Sequence, residues 1–245
     1  MLPYMQIVIP TYAFMAFWGA VISSFYLYFQ IENYEVKFTD LLKLIAFMAI
    51  GCIIGSKLLS TLTMLPYLTD SFSPLTLITA FVESGLVFYG GLFGTLIGVF
   101  LFTKRNPNFK FDRIMQMVVP ILPLFHAFGR IGCYCAGCCY GVLLDTPINL
   151  FDILQLNRFP TQPTEALFEL AMFFILWRLS KCQKPVNLLC VYLMAYASFR
   201  FGIEFYRGDP DRGYWFFFST SQWISIGIWL YYAYFTFRNM LKKHF

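Results

Sequence analysis

The stretch His126-Ala-Phe-Gly-Arg-Ile-Gly-Cys-Tyr-Cys-Ala-Gly-Cys-Cys-Tyr-Gly141 lies between strongly apolar segments. Its sixteen residues include one histidine, one arginine, four cysteines and four glycines. Glycines permit tight turns and close backbone approach, and arginine offers a planar donor fork for phosphate or carboxylate. Thiols bind metals, form disulfides or act as nucleophiles. A plain connection between membrane helices would not contain this set, so we interpret the stretch as an active or binding loop.

The composition is that of a membrane protein. Hydrophobic residues make up 59% of the 245 residues and charged residues only 13%, whereas soluble domains carry about 25% charged residues. The sequence therefore predicts an all-α polytopic membrane protein, with residues 1–245 forming a single transmembrane domain. The net charge of +5 does not indicate nucleic-acid binding, because the basic residues lie between apolar runs.

Seven apolar runs predict transmembrane helices, each of which needs about 20 residues to cross a bilayer. The runs are Ile7–Phe29, Leu41–Leu62, Leu86–Thr103, Ile114–Phe128, Ala166–Leu179, Val186–Phe205 and Trp215–Phe237. The moderately apolar segment Ser71–Gly85 predicts a short interfacial or re-entrant helix before the third span.

The distribution of basic residues predicts the orientation. One set of alternating loops, together with the C-terminal tail, carries twelve lysines and arginines. The opposite loops carry only Arg130, Arg158, Arg207 and Arg212. Because basic loops stay in the cytoplasm, we expect the N-terminus outside, the C-terminus inside and the cysteine-rich stretch on the extracytoplasmic side.

Charged residues inside the sixth span form the clearest candidate site. Arg200, Glu204 and Arg207 are spaced four and three residues apart, so they share one helix face. Ionisable residues within the membrane are costly and are usually functional or paired. One interpretation is a pocket of net charge +1 that suits an anionic lipid headgroup. The alternative is a self-neutralising cluster that holds this helix to a neighbour.

Two further groups of residues are candidates of weaker specificity. Glu165 and Glu169 lie four residues apart at the start of the fifth span. Glu165 fits the helix N-terminus, where acids are favourable, and the deeper Glu169 is the better candidate for an inward contact. Tyr89, Gly90 and Gly91 open the third span, where the glycines admit either a ligand or a neighbouring helix.

The cysteine pattern of residues 133–139, C-x-C-x-x-C-C, does not match a structural zinc site, which takes two separated ligand pairs. We therefore assign no metal ligand and no cofactor. Cys135 and Cys138 have the spacing of a redox pair. His126 lies four residues before Arg130, so it is either a general base toward a thiol or a histidine packed among helices.

Taken in order, these motifs resemble the prolipoprotein diacylglyceryl transferase family over the whole chain. Members of this family are bacterial inner-membrane enzymes that move diacylglycerol from phosphatidylglycerol onto the lipobox cysteine of a lipoprotein. The matching elements are Tyr12 in the first span, Phe88–Leu92, Gly129–Gly132 with Gly141, Pro163-Thr164 with Glu169, Arg200-Phe201 and Glu204-Phe205.

The resemblance implies functional roles. The residues expected to bind lipid are Tyr12, Gly90, Gly91, Arg130, Glu169, Arg200 and Arg207. Those expected to take part in catalysis are Tyr89, His126, Cys133, Cys138 and Glu204. The chain also departs from the family pattern, because Tyr89 stands at the family's histidine, while Cys133, Ala136 and Cys138 replace two asparagines and a glutamate. These departures predict a divergent paralogue.

The sequence thus favours an enzyme in the bacterial inner (cytoplasmic) membrane that transfers a diacylglyceryl or related lipid group from phosphatidylglycerol. The acceptor would be a thiol of a lipoprotein or another peptide. The alternative is a non-enzymatic, thiol-redox or metal-binding membrane protein that uses the same lipid-binding scaffold.

Overall fold

The computed structural model describes residues 11–64, 74–83, 87–144, 157–182, 186–208 and 214–244. These ranges are almost entirely helical, which confirms the predicted all-α class. The helices are α1 Thr11–Tyr34, α2 Phe38–Met64, α3 Pro74–Glu83, α4 Phe88–Arg105, α5 Phe111–Val118, α6 Ile121–Ala136, α7 Thr161–Ser180, α8 Leu188–Ile203 and α9 Thr220–His244. Two short strands, β1 Tyr214–Trp215 and β2 Phe218–Ser219, form an antiparallel hairpin before α9.

Within the described ranges, four helical segments are long and apolar enough to span a membrane. They are Thr11–Tyr34, Phe38–Thr63, Phe111–Ala136 and Leu188–Tyr206. Large apolar side chains such as Phe29, Ile53 and Leu230 remain more than half exposed on their helices, as expected for surfaces that face lipid. Seven spans with an outside N-terminus remain a prediction, and residues 7–10 of the first predicted span lie outside the described ranges.

The chain divides into two compact units, Ser24–Val118 and Met1–Ser23 with Val119–Phe245. In the first of these units, α2 and α4 pack backbone against backbone through glycines. A Cβ atom at Gly94 would overlap the carbonyl oxygen of Gly51, and one at Gly90 would overlap that of Gly55. Close approach through small residues is the usual way that membrane helices associate.

The predicted segment Ser71–Gly85 contains a short helix, α3, and residues 71–73 and 84–85 of that segment lie outside the described ranges. Its interfacial or re-entrant position stays a prediction. Lys57 of α2 donates hydrogen bonds to the carbonyl oxygens of Phe81 and Val82, at 3.2 and 2.9 Å. These carbonyls belong to the last turn of α3, where no intrahelical donor remains. Lys57 therefore caps α3.

Helix α6 corrects the interpretation of the cysteine-rich stretch as a loop. The predicted span ended at Phe128, whereas α6 continues to Ala136 and ends at Gly137 in the left-handed conformation (φ 72°). Cys133 and Cys135 are consequently helical, and the loop begins after them. Gly129, Ile131 and Gly132 have weak helix propensity, but they do not end the helix, because tertiary packing outweighs propensity.

The start of α9 also differs from the prediction. The last predicted span began at Trp215, but residues up to Ser219 form the hairpin. Ser219 and Gln222 then make a reciprocal cap: Gln222 N donates to Ser219 Oγ at 3.3 Å, and Ser219 N donates to Gln222 Oε1 at 3.0 Å. This capping box fixes the N-terminus of α9.

The α2–α4 packing predicts a destabilising substitution. We expect Gly94→Ala to lower the free energy of unfolding in detergent by about 1–3 kcal/mol, the usual cost of overpacking, because the new methyl group meets the backbone of Gly51. Gly227→Ala in α9 is the control, since a Cβ atom there has no neighbour within 4 Å. Thermal unfolding of both purified variants measures the difference. Equal melting temperatures would contradict the packing.

Candidate functional site

The centre of the candidate site is the Glu165 carboxylate at the start of α7, which is 1% exposed. Arg130 Nη2 of α6 lies 2.8 Å from Glu165 Oε1, and Arg200 Nη1 of α8 lies 3.8 Å from Oε2. The Tyr196 hydroxyl donates to Oε1 at 3.4 Å. One buried carboxylate therefore pairs with guanidinium groups from two helices, as a buried charge requires.

His126 connects Arg130 to a second buried carboxylate. Arg130 Nε donates to His126 Nε2 at 3.2 Å, so Nε2 acts as an acceptor and the ring hydrogen lies on Nδ1. That hydrogen is donated to Glu169 Oε1, 2.8 Å away. The Tyr192 hydroxyl donates to the other oxygen of Glu169 at 3.2 Å. The arrangement fixes both the tautomer of His126 and the direction of the Arg130 guanidinium.

Arg200 of α8 connects Glu165 to Glu204 and to Ser221 of α9. Its Nη2 lies 2.7 Å from Glu204 Oε2 and donates to Ser221 Oγ at 3.3 Å. Besides the 3.8 Å ion pair with Glu165, its buried Nη1 makes no hydrogen bond to the described residues. A buried donor without an acceptor costs about 1–3 kcal/mol. An anionic ligand that accepts from Nη1 would remove this cost.

The buried charged residues of the site include more than Arg200, Glu204 and Arg207, the three for which the sequence predicts a net charge of +1. All six charged residues of the site are at least nine-tenths buried: Arg130, Arg200, Arg207, Glu165, Glu169 and Glu204. Their formal charges cancel. The site is therefore a neutral network with oriented guanidinium donors, and any specificity for an anion comes from donor geometry rather than from excess charge.

The cysteine turn begins where α6 ends. Gly137 N donates to Tyr134 O and Cys138 N donates to Cys133 O, both at 3.1 Å, which is the Schellman pattern around a left-handed glycine. This pattern brings Cys133, the fourth-last residue of the helix, beside Cys138, the residue after the glycine. The sulfur atoms of Cys133, Cys138 and Cys139 all lie within 4.8 Å of one another. Cys135, part of the predicted redox pair, is not in this group.

The first turn of α7 holds the cysteine turn in place. Thr161 Oγ1 donates to the Cys139 carbonyl oxygen at 2.8 Å, and Gln162 Nε2 donates to the Cys138 carbonyl oxygen at 2.7 Å. Both α7 side chains are buried. Beyond the turn, the Arg158 guanidinium lies 4.2 Å from the centre of the Tyr140 ring. The loop is therefore anchored to the same helix that carries Glu165.

The thiol environments differ within the turn. Hydrogen bonds from the Cys133 and Cys138 side chains lower the pKa of the Cys139 thiol, with a smaller contribution from Arg130 and Arg207, against burial, which raises it. The thiolate form of Cys139 is therefore favoured by its surroundings. Sequence reasoning had named its two neighbours as the candidate nucleophiles.

Tyr12 lies close to this site, in the N-terminal part of α1 that belongs to the same unit. A Cβ atom at Gly132 of α6 would lie 3.3 Å from the Tyr12 Cα atom, so the two helices approach closely there. The Tyr12 hydroxyl interacts electrostatically with Arg130 and with Cys133. The structure thus brings Tyr12 and Arg130, both predicted lipid-binding residues, into one neighbourhood.

The comparison with known proteins decides the family. The family described as prolipoprotein diacylglyceryl transferase matches residues 1–238. The chain belongs to this family. Among similar proteins are the phosphatidylglycerol--prolipoprotein diacylglyceryl transferase of Clostridium tetani, 36% identical over 184 residues (72% of each chain), and enzyme 2 of that name in Clostridium perfringens, 36% identical over 186 residues (73% of this chain and 71% of the relative).

For this member of the prolipoprotein diacylglyceryl transferase family, three predicted site residues belong to the other compact unit. Tyr89 is 3% exposed and its ring stacks on Phe93 at a centroid distance of 6.2 Å. Gly90 and Gly91 contact α2, where a Cβ atom at Gly91 would lie 2.7 Å from Ser56 Oγ. Helix packing accounts for both glycines, and their role in lipid binding stays a prediction.

Sequence reasoning missed Glu165 as a site residue, because acids at a helix N-terminus already have a sufficient explanation. The available signal was its spacing of four residues from Glu169, which places both carboxylates on one face of α7. The proximity of Cys133 and Cys138 also had a signal. Gly137 lies between them at the position that a Schellman turn requires.

Gly137 offers a direct test of the cysteine turn. We expect Gly137→Ala to lower the free energy of unfolding by about 1–2 kcal/mol, because the left-handed conformation is unfavourable for residues with a Cβ atom. Gly129→Ala in the same helix is the matched control, since a Cβ atom there meets nothing within 4 Å. Thermal unfolding in detergent compares them. If Gly137→Ala were as stable as the control, the turn would be described incorrectly.

Proposed function

We propose that this protein transfers a diacylglyceryl group from phosphatidylglycerol to the cysteine thiol of a lipoprotein. The names of the curated relatives support the substrates and the reaction. The observation that carries the proposal is the network in which Glu165 pairs with Arg130 and Arg200 while Arg200 Nη1 keeps a donor for a ligand.

Lipid binding would use this network. The phosphate of phosphatidylglycerol would accept charge-assisted hydrogen bonds from Arg130 and Arg200, which are stronger and shorter than neutral ones. Arg207, which follows Arg200 in the sequence, is a third buried cation. Glu165, Glu169 and Glu204 would hold the guanidinium groups in position, and Tyr12 would contribute beside Arg130. A guanidinium already oriented by a buried carboxylate loses less entropy on binding than a free one.

The chemical step would be a substitution at carbon. The acceptor thiolate attacks the glycerol carbon of the diacylglyceryl group that bears the phosphate ester, and a carbon–sulfur bond forms. The carbon–oxygen bond to the phosphate breaks, and glycerol phosphate leaves with the electron pair. Arg130 and Arg200 stabilise the negative charge that develops on the leaving group. The acceptor thiol loses its proton to a base.

The proton acceptor is the point at which this chain departs from the family pattern. His126 Nε2 already accepts from Arg130, so we propose His126 as a positioning residue that orients the arginine. Tyr89, which stands at the family's histidine, remains the proposed proton acceptor. The substitutions at Cys133 and Cys138 support the proposal of a divergent paralogue.

The proposed location is the bacterial cytoplasmic membrane, with the site toward the extracytoplasmic side. The excess of basic residues in the opposite loops supports this orientation. An anionic phospholipid and a lipoprotein still attached to its membrane segment would both reach the site from that face.

The proposed role of Arg130 and Arg200 in binding phosphate predicts that substituting either residue lowers the transfer activity. We expect Arg130→Lys and Arg200→Lys to reduce transfer by about 100-fold or more, because lysine keeps the charge but lacks the planar, bidentate geometry. Purified variants in liposomes with labelled phosphatidylglycerol and a prolipoprotein provide the assay. Arg178→Lys, at the far end of α7, is the control and retains activity. A relative with known activity is assayed in parallel. If that relative transfers label to the prolipoprotein and the wild-type protein does not, the proposed function is refuted.

His126 provides a second prediction, which separates positioning from base catalysis. Glutamine can accept from Arg130 and donate to Glu169, whereas leucine can do neither. We expect His126→Gln to retain transfer within about tenfold with an unchanged pH profile, and His126→Leu to raise the KM for phosphatidylglycerol. A general base would instead contribute about 10²–10⁴-fold. Loss of that size in His126→Gln, with the disappearance of an ionisation from the pH profile, would contradict the positioning role.

A further inference from the structure

Three thiols of the cysteine turn are unexplained by the proposed transfer reaction. The sulfur atoms of Cys133, Cys138 and Cys139 lie within 4.8 Å of one another. A cation bound to three thiolates by bonds of about 2.3 Å holds its sulfurs about 3.8–4.0 Å apart. Small rotations of the three side chains would therefore close the cluster around such an ion. The sequence pattern alone did not indicate this, because the structural zinc template requires four ligands in two pairs.

The backbone that presents these thiols is fixed. Cys139 has φ 60°, in the left-handed region that residues with a Cβ atom rarely adopt. Its carbonyl oxygen accepts from Thr161, and that of Cys138 accepts from Gln162, both from buried side chains. A strained conformation that the surrounding structure enforces is found preferentially at functional positions. In this conformation the Cys139 sulfur lies within 4.8 Å of the other two.

The electrostatic surroundings favour a negatively charged cluster. Arg130 and Arg207 both interact electrostatically with Cys139, and both are buried. Three thiolates with a divalent cation carry a charge of −1, and with a monovalent cation −2. Nearby guanidinium groups lower the cost of this charge in an apolar environment, although Arg130 also pairs with Glu165.

Exposure within the cluster is asymmetric. Cys133 is buried, Cys139 is half-buried and Cys138 is exposed. A cation held by these three ligands would keep one coordination position toward the exposed side. Three protein ligands with an open position distinguish catalytic or exchangeable zinc sites from closed structural ones. Soft thiolate ligands select Zn²⁺ and Cu⁺ over hard cations.

We propose that Cys133, Cys138 and Cys139 form a three-thiolate site for a thiophilic d¹⁰ cation, Zn²⁺ or Cu⁺, with one coordination position open to an outside ligand. The open position suits a thiol, which is the acceptor class of the proposed transferase. The site itself does not depend on that proposal, because its ligands and geometry are independent of lipid transfer.

Metal titration of the reduced, metal-free protein in detergent tests the site. Competition with a chromogenic chelator for Zn²⁺, and with a Cu⁺-selective chelator for Cu⁺, gives stoichiometry and affinity for each ion. We expect one equivalent of at least one of the two ions per chain. Binding weakens at least tenfold in Cys138→Ser and Cys139→Ser, while Cys135→Ser, whose sulfur is outside the cluster, binds like the wild type.

A second measurement needs no variant and so does not depend on the folding of the serine substitutions. Alkylation of the wild-type protein with and without the bound ion, followed by peptide mass spectrometry, identifies the protected thiols. Protection confined to Cys133, Cys138 and Cys139 supports the site. No binding of either ion, unchanged affinity in both serine variants, or protection of Cys135 or Cys182 in place of these three would overturn it, whether or not the protein transfers lipid.

Discussion

A carboxylate buried among membrane helices must be paired, and this constraint at Glu165 organises the candidate site. Removing one partner of a buried ion pair costs about 3–5 kcal/mol. Arg130 from α6 and Arg200 from α8 both reach Glu165 of α7. The three helices therefore cannot shift relative to one another without leaving a buried charge unpaired. The same restraint that stabilises the packing also sets the positions of the two guanidinium groups.

A second restraint acts on the backbone at the end of α6. The left-handed Gly137 ends the helix and brings Cys138 back beside Cys133. Thr161 and Gln162 then bind the turn to the first turn of α7, one helical turn from Glu165. The thiol cluster and the arginine network are thus held by the same pair of helices. The thiols and the arginine network therefore both depend on the packing of α6 against α7.

Much of this architecture could be predicted from sequence, for identifiable reasons. Apolar runs revealed the helices, and the spacing of Arg200 and Glu204 revealed an ion pair that the structure contains at 2.7 Å. The helical extension to Ala136 could not be predicted, because close packing of Gly132 on Tyr12 is tertiary information. Likewise, the pairing of Glu165 with residues 35 positions on either side, Arg130 and Arg200, leaves no local pattern in the sequence.

A crystal structure of the protein with bound phosphatidylglycerol tests the arginine network most directly. We predict that a phosphate oxygen lies within about 3 Å of Arg200 Nη1, the hydrogen-bond distance of a charged pair, with a second oxygen facing the Arg130 guanidinium and Glu165 still paired. A lipid phosphate bound away from both arginines, with their contacts to Glu165 unchanged, would contradict it.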